Sequence, residues 1–478
     1  MTTKVKPMRN SNARTPRLLS LSVLALLAGC SMAPIYERPP APVAAQWPAS
    51  SADNTAATTA AADMAWQDFV GDARLRELVM LALDNNRDLR VALAAIEQAR
   101  AQYQIRRADQ LPTINAAVAG NRQPSSDGES ISSAYTAGLA MASWELDFFG
   151  RVASLKDAAL AQFLATQEAR NAVQTSLIAS VVSTWLSLQT NNELLALTQR
   201  TLATRQDSLR LNRMRFEQGV TSALDLRQAE SLTAAAQATL AQQRRLRALD
   251  VNALTQLVGQ PLPEALLAAP AIPAAQSLHD VPVGMPSDLL ERRPDIRQAE
   301  QQLIAANANI GAARAAFFPR IALTASAGTA SGALSGLFQS GAWGWTLAPQ
   351  AVLPIFDAGR NQAALESAQA GRDMALAQYE KAIQGAFREV ADALAGQATL
   401  GEQVRAQQAQ ADAEADRFRL ADLRYRNGVA SYLDVLDAQR ALFATQQALA
   451  QTQLAQQQNR VALYKALGGG WSAQAPQL

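Results

Sequence analysis

The sequence predicts a mainly α chain with a β-barrel part, built as a tandem duplication in which each half supplies two transmembrane strands and long coiled-coil helices. Three observations predict it. The phrase RFEQGVTSALDLRQAE at Arg215–Glu230 returns as RYRNGVASYLDVLDAQ at Arg424–Gln439, with Arg, Gly, Val, Ser, Leu, Asp and Ala coinciding. Apolar residues recur every seven positions through long stretches that contain no proline, as a coiled coil requires. Ahead of each such stretch lie two short segments in which apolar residues alternate, the period of a strand. Composition agrees: 49% of residues are hydrophobic but only 5% aromatic, and the dominance of Ala, Leu and Gln suits long helices better than compact α/β domains.

The N-terminus reads as an export signal. Residues 1–29 carry Lys4, Lys6, Arg9, Arg14 and Arg17 and no acid, ahead of the apolar run Leu18–Ala28, which is too short to cross a bilayer. The run ends in Leu27-Ala28-Gly29-Cys30, the form of a bacterial lipobox, and Cys30 is the only cysteine in the chain. Cleavage there leaves Cys30 acylated at the head of an extended segment, 30–65. Disulfides are thereby excluded, and no cofactor is expected beyond the covalent lipid. Ser31 rather than Asp follows the cysteine, which is compatible with sorting to the outer membrane. Removal of the five basic residues takes the formal charge from +2 to −3, so nucleic acid is not an expected partner. No later segment has the ~18 consecutive apolar residues of a transmembrane helix, so a membrane role has to come from strands.

The duplication covers the mature chain. Asp88-Leu89-Arg90 is answered by Asp295-Ile296-Arg297, and Leu111-Pro112 by Phe318-Pro319, both 207 positions on. Gly150-Arg151 is answered by Gly359-Arg360, and Gly219 by Gly428, both 209 positions on. The slip of two residues falls in the strand region, where a loop can vary. The first repeat occupies 66–260 and the second 287–467, joined by a Pro-rich linker, 261–286, and followed by a tail, 468–478. Each opens on a helix, Asp88 to Ala108 or Asp295 to Ala316, that ends before a proline. After the strands, a long helix runs from Gly150 to about Gln218, or from Gly359 to about Asn427, roughly 100 Å at 1.5 Å per residue. A shorter one follows, Ala223 to about Val258 or Tyr432 to Leu467. The short helices together approach the length of the long one, so they can stack end to end beside it. Val181, Leu188, Leu195, Leu202, Leu209 and Phe216 form a heptad seam, and Val404, Ala411, Phe418 and Tyr425 keep the spacing in the second copy.

The strand signals are Thr113–Val118, then Ala137, Leu139 and Met141; in the second copy, Ile321, Leu323 and Ala325, then Trp343, Trp345 and Leu347. Gly/Ser-rich tips, Gln123–Ser133 and Gly328–Gly341, separate each pair. Between Pro319 and Asp357 only Arg320 and Asp357 are charged, while Trp343, Trp345 and Phe356 stand near the strand ends, as in the aromatic girdles of a transmembrane barrel. Four strands cannot close a barrel in a membrane, where every edge group needs a partner. Subunits have to contribute jointly: eight strands from a dimer or twelve from a trimer.

With these features in place, the chain resembles outer-membrane factors of the TolC family, and within it the OprM-type lipoproteins of tripartite multidrug efflux pumps. The residues that carry the resemblance begin with Leu27-Ala-Gly-Cys30, Asn85-Asn-Arg-Asp-Leu-Arg90 and Trp144-Glu-Leu-Asp-Phe-Phe-Gly-Arg151. They continue with Pro286-Ser-Asp-Leu-Leu-Glu-Arg-Arg-Pro-Asp295, Ala312-Ala-Arg-Ala-Ala-Phe-Phe-Pro319, Ala386-Phe-Arg-Glu-Val-Ala-Asp392, the Arg424–Arg440 phrase and Tyr464-Lys-Ala-Leu-Gly-Gly-Gly-Trp471. They span the mature chain. The resemblance implies a homotrimer whose twelve-stranded outer-membrane β-barrel continues into a periplasmic α-helical barrel. It implies docking to a periplasmic adaptor protein and, through it, to an inner-membrane RND-type transporter. The implied activity is passage of drugs or other small molecules from periplasm to exterior.

The doubled phrase has the local chemistry of a helical hairpin turn. Gly219 and Gly428 stand where a long helix ends, as C′ residues able to take φ > 0. Ser222 and Ser431 can N-cap the next helix, with Asp225 and Asp434 at N3, an acidic relative of the capping box. The copies differ at Asp437, one turn beyond Asp434, where the first has Gln228, and at Tyr425, where it has Phe216. The plain alternative for Asp437 is a solvated helix-face acid. The resemblance implies more: Leu433 and Asp437 form a periplasmic constriction, Asp434 a carboxylate ring near it, and Tyr425 part of a hydrogen-bonded latch. Asp437 side chains around one axis would repel each other and attract cations. Some members carry a latch arginine just after the turn glycine; here that position is Ala430, so a weaker latch is expected, or one made through Arg424, Arg426 or Arg440. The exposed turns Gly219-Val220-Thr221 and Gly428-Val429-Ala430 are the expected adaptor contacts.

Catalysis is not expected. His279 is the only histidine and lies in the linker, and Cys30 is spent on lipid, leaving no His/Cys metal cluster and no Ser-His or Cys-His pair. The alternative to a channel is a lipid-anchored periplasmic coiled-coil scaffold without a pore. The paired strand segments separate the two, because a scaffold has no need of them.

Overall fold

The structure, a computed structural model, describes residues 31–44, 47, 64–124, 131–268, 278–281 and 288–471. The signal segment 1–29, Cys30, the strand tip at 125–130, most of the linker and the tail beyond 471 lie outside the described residues. Along the chain run α1 (Trp66–Phe69), α2 (Ala73–Asn85), α3 (Arg87–Ala108), β1 (Ile114–Pro124), β2 (Ile131–Leu146), α4 (Arg151–Glu217) and α5 (Ala223–Val258). Then follow α6 (Glu264–Ala268), α7 (Asp288–Arg292), α8 (Pro294–Ala315), β3 (Arg320–Ser331), β4 (Trp343–Val352), α9 (Arg360–Arg426) and α10 (Tyr432–Ala466). The two long helices, α4 and α9, have 67 residues each, and each is entered through a left-handed glycine, Gly150 at φ 72° and Gly359 at φ 81°. None of the described helices is long and apolar enough to cross a membrane. Helix α2 is not among the expected elements; Asp72 caps it by accepting from the Arg74 amide at 2.9 Å, and Leu75, Leu78, Val79 and Ala82 bury its inner face.

The chain divides into two units, the first made of Met1–Pro39, Glu97–Ala165 and Ala299–Tyr379, the second of Pro40–Ile96, Thr166–Gln298 and Glu380–Leu478. In the first unit the strands form one antiparallel sheet in the order β1-β2-β3-β4. Among the described residues the outer edges of β1 and β4 are unpaired, and both strands are exposed along their whole length. The register sorts the side chains by face. Leu139 opposes Ala116 and Ala327, Ala327 opposes Trp345, and Met141 opposes Ile114 and Ala325, so one face is apolar. The other carries Asn115, Asn121, Thr136, Thr324 and Gln350, with the Ser326 and Thr346 hydroxyls 2.7 Å apart.

A bulge between Met141 and Trp144 adds one residue to β2 and holds Ser143 at φ 51°. It reverses the parity of the strand end. Trp144 and Leu146 thereby join the apolar face, opposite Leu323 and Ile321, and Glu145 turns to the other side. There it accepts from Nε and Nη2 of Arg151, each at 2.7 Å, and pairs with Arg320 at 2.7 Å. The strands run further into the expected tips: Gln123 and Pro124 belong to β1, Ile131–Ser133 to β2 and Gly328–Ser331 to β3, while Phe356, expected near a strand end, lies beyond the end of β4 at Val352.

In the same unit residues 31–38 lie extended along α8. Arg38 grips buried Glu300 at 2.7 and 3.0 Å, and the Tyr36 hydroxyl donates to the same carboxylate at 3.1 Å. Asn307 donates to the Pro34 carbonyl at 2.7 Å, and Arg314 reaches the Met32 carbonyl at 3.4 Å. The segment therefore meets successive turns of α8 in reverse order, with Met32 at the end that leads into β3.

The second unit holds the joints between short helices. Asn86 caps α3 by accepting from the Leu89 amide at 2.9 Å, and donates its side-chain amide to the Leu257 carbonyl at the end of α5, at 2.9 Å. Gly259, at φ 77°, ends α5 so close to Asn85 that a Cβ there would stand 2.5 Å from its carbonyl oxygen. The second repeat is built alike: Gly468, at φ 84°, ends α10 against the Arg292 carbonyl. Arg293 donates to the Ala466 carbonyl at 2.9 Å while paired with Asp295 and Glu389 at 2.6 and 2.8 Å.

The heptad seam is present but displaced on α4. Val181 and Leu188 are buried, whereas Leu195, Leu202 and Leu209 are half-buried and Phe216 is exposed. The fully buried line there is Thr198, Arg205 and Asn212, three residues further on. The reason is packing on two neighbours: Arg205 donates to the Leu232 carbonyl of α5 at 2.9 Å and lies 5.2 Å from the Phe443 ring of α10. On α9, residues 404, 407, 411, 414, 418, 421 and 425 are buried or half-buried, the alternating three-four spacing of a regular seam.

Candidate functional site

Both hairpin tips lie in the second unit. At each, the chain leaves the long helix through a Schellman turn. Gly219 (φ 72°) donates to Phe216 and Val220 to Arg215 at 2.9 and 2.8 Å; Gly428 (φ 75°) donates to Tyr425 and Val429 to Arg424 at 3.0 and 2.9 Å. This 6→1 and 5→2 pattern satisfies carbonyls that the helix end would orphan. Val220 and Val429, at the C″ position, point outward and are exposed.

Beyond the turns the two tips diverge. The first has a full capping box: the Ser222 hydroxyl accepts from the Asp225 amide at 3.1 Å, and the Asp225 carboxylate accepts from the Ser222 amide at 3.3 Å. Hydroxyls of Ser222 and Thr221 also donate to that carboxylate at 2.7 and 2.8 Å. The second box does not form. Ser431 has N-cap backbone angles but no side-chain cap bond, and Asp434 is exposed with no hydrogen bond or ion pair among the described residues. The difference traces to one position: Thr221, whose hydroxyl turns the carboxylate back over the cap, is answered by Ala430, which has none.

The Ser222 hydroxyl, against some burial, and then Thr221 and the Ser222 amide hold the Asp225 carboxyl below the usual Asp range. A depressed carboxyl stabilises above its unfolded value, and the contribution is lost as pH falls through the folded value. The first tip is therefore expected to fray in acid before the second. Ser222→Ala is expected to cost about 1 kcal/mol of local stability, with faster amide hydrogen exchange at the start of α5. Ser431→Ala should leave exchange at the start of α10 unchanged; equal effects at the two tips would contradict the asymmetry.

Leu433, Asp434 and Asp437 share the exposed face of α10, while Tyr432, Val435 and Leu436 pack with Ala229 and Leu232 of α5. Tyr425 and Phe418 of α9 rest on that cluster. Asp437 is paired within its own chain: Arg417 of α9 donates to its carboxylate and, at 3.2 Å, to Glu414. Tyr425 is held by Arg215 of α4, which donates to its hydroxyl and lies 5.0 Å from its ring, and by Tyr432, with ring centroids 5.2 Å apart. The arginines in contact with Tyr425 and Asp437 among the described residues are Arg215 and Arg417, not Arg424, Arg426 or Arg440. Arg426 pairs with Asp422 at 2.8 Å, and Arg424 and Arg440 form no ion pair among the described residues.

A signal for Arg417 stands in the sequence. Counted back 209 positions, Arg417 and Asp437 answer Ser208 and Gln228. Both partners of the ion pair are neutral in the first copy and charged in the second, at nearly equal distances from the turn glycine.

Comparison with known proteins places this architecture. A family model described as outer membrane efflux protein matches residues 78–260 and 285–469. The chain is 48% identical over 472 residues, 97% of each chain, to the antibiotic efflux pump outer membrane protein ArpC of Pseudomonas putida, and equally to the toluene efflux pump outer membrane protein TtgC of the same species. The open-state structure of the Neisseria gonorrhoeae MtrE outer membrane channel superposes with a TM-score of 0.85 at 41% identity, covering 92% of this chain and 99% of that one. The chain therefore belongs to the outer membrane efflux protein family, the TolC-like channels: it is an outer-membrane channel of an efflux pump and not an enzyme.

Proposed function

We propose that three copies of this chain close a twelve-stranded barrel and serve as the gated exit duct of a tripartite pump. The observation that carries the reading is the sheet: four strands with one apolar face and two free edges, which cannot sit in hydrocarbon until neighbouring copies pair those edges. The test is the protein mass of the detergent-solubilised particle, expected to be that of three chains.

The gate lies at the second hairpin. Leu433 and Asp437 form the constriction and Asp434 the neighbouring carboxylate ring; the Arg417–Asp437 and Arg215–Tyr425 contacts tie α10 and α9 to their own chain and hold the closed state. Asp437 carries the gate's charge to permeating ions, and Arg417 offsets the repulsion among its copies. The exposed Schellman turns, Gly219-Val220-Thr221 and Gly428-Val429-Ala430, meet a periplasmic adaptor protein, which links the duct to an inner-membrane RND-type transporter. Apolar valines at both turns support a hydrophobic contact there. Cys30 carries the lipid anchor; the course of residues 32–38 along α8 toward β3 suits an anchor in the membrane that holds the strands. The cargo is of the kind named for the relatives, antibiotics and toluene, since a wide duct lined by small and neutral polar residues selects little by itself.

A further inference from the structure

The duplicated chain contains one junction that it fills itself and a second copy of that junction that it leaves empty. At the filled one, β2 lies beside β3, and the connection leaving β2 packs on the connection entering β3. Phe149, third residue past the end of β2, stacks on Phe318, just before β3, with ring centroids 4.8 Å apart and planes 19° from parallel. Phe318-Pro319 answers Leu111-Pro112 ahead of β1, and the third residue past the end of β4 is Ile355, followed by Phe356. At the 209-residue offset Phe149 is answered by the small Ala358, and the large apolar residues at this junction stand exposed: Ile355 is 93% exposed, Phe356 89% and Leu111 68%.

The free edges say what covers them. In a four-strand meander β1 and β4 run in opposite directions, so β4 of one copy beside β1 of the next continues the antiparallel ladder. That pairing brings the connection leaving β4 beside the one entering β1, as β2 and β3 bring theirs together inside the chain. The connection Leu353–Gly359 is longer than Asp147–Gly150, which gives Ile355 and Phe356 the reach. The chemistry also differs. At the filled junction Glu145 binds Arg320 at 2.7 Å, but Thr113 answers Arg320, and Pro354, 209 positions on, answers Glu145.

We propose that Ile355 and Phe356 of one protomer seat on Leu111 and Pro112 of the next, an apolar clasp between copies of this chain at the foot of the barrel. The clasp rests on the trimeric reading and adds to it the residues that join one copy to another. Its direct test is Leu111→Cys combined with Phe356→Cys, treated in native membranes with a short bismaleimide. Dimer and trimer bands on a denaturing gel are expected from the double variant, and monomer alone from each single variant. If the solubilised particle has the mass of three chains and the double variant still gives only monomer, the clasp is wrong and the trimer stands. If the particle has the mass of one chain, both fall. Phe356→Asp should also lower the temperature at which the assembly separates in SDS, whereas Phe338→Asp, at an exposed site between β3 and β4, should not; equal shifts would overturn the clasp.

Discussion

Asp437→Ala is expected to raise conductance several-fold in planar bilayers and to lower the preference for cations. Two roles meet at this carboxylate. It is the partner of Arg417 across the α9–α10 hairpin, so its loss frees the tip, and in the proposed gate it is the charge that a permeating ion meets, so its loss also weakens attraction for cations. Arg417→Ala separates the roles. It frees the same tip, so conductance should rise, but it leaves Asp437 uncompensated, so cation preference should rise with it. Opposite changes in selectivity with parallel changes in conductance are the signature of a latch inside a pore. Unchanged conductance in both variants would return Asp437 to the status of a solvated helix-face acid.

Gly138→Val is expected to abolish barrel assembly, seen as loss of the protein from the outer-membrane fraction. Gly138 and Gly328 face each other across β2 and β3. A Cβ on Gly138 would stand 2.4 Å from the Ala327 carbonyl oxygen, and one on Gly328 2.3 Å from that of Ala137. The obstruction is backbone, so no rotamer relieves it, and only separation of the strands makes room. Separation leaves ladder groups without partners, at a cost of several kcal/mol each where no water can replace them. Gly120→Val is the matched control, because its nearest neighbour is the Tyr135 ring at 3.2 Å, a side chain that can swing. Normal assembly of the Gly138 variant would show that the strands part without penalty.

The elements that local chemistry dictates are legible in the sequence. The ends of α4 and α9 follow from glycines that take positive φ, and the start of α5 from a serine and an acid at capping distance; the duplication states each signal twice. Partners that depend on another element are harder to read. Ser222 and Ser431 look alike until the hydroxyl of Thr221, absent at Ala430, is seen to orient the N3 carboxylate. The alternation along β2 hides a bulge, because Trp144 and Leu146 fit the apolar face only after one residue is added at Ser143. The seam of α4 reads as a line of leucines, yet its buried centre is polar, since Arg205 serves two neighbouring helices at once. Arg417 escapes notice for a different reason: a comparison of Asp437 with Gln228 alone leaves out the position across the hairpin that changes with it.

In the proposed assembly, strands from separate copies close one barrel. The most direct test is the protein mass of the membrane-extracted, detergent-solubilised particle, by light scattering corrected for bound detergent. The expected result is the mass of three chains. A folded particle with the mass of a single chain would contradict it, because no barrel closes on four strands, and a lipid-anchored scaffold would then be the better description of the molecule.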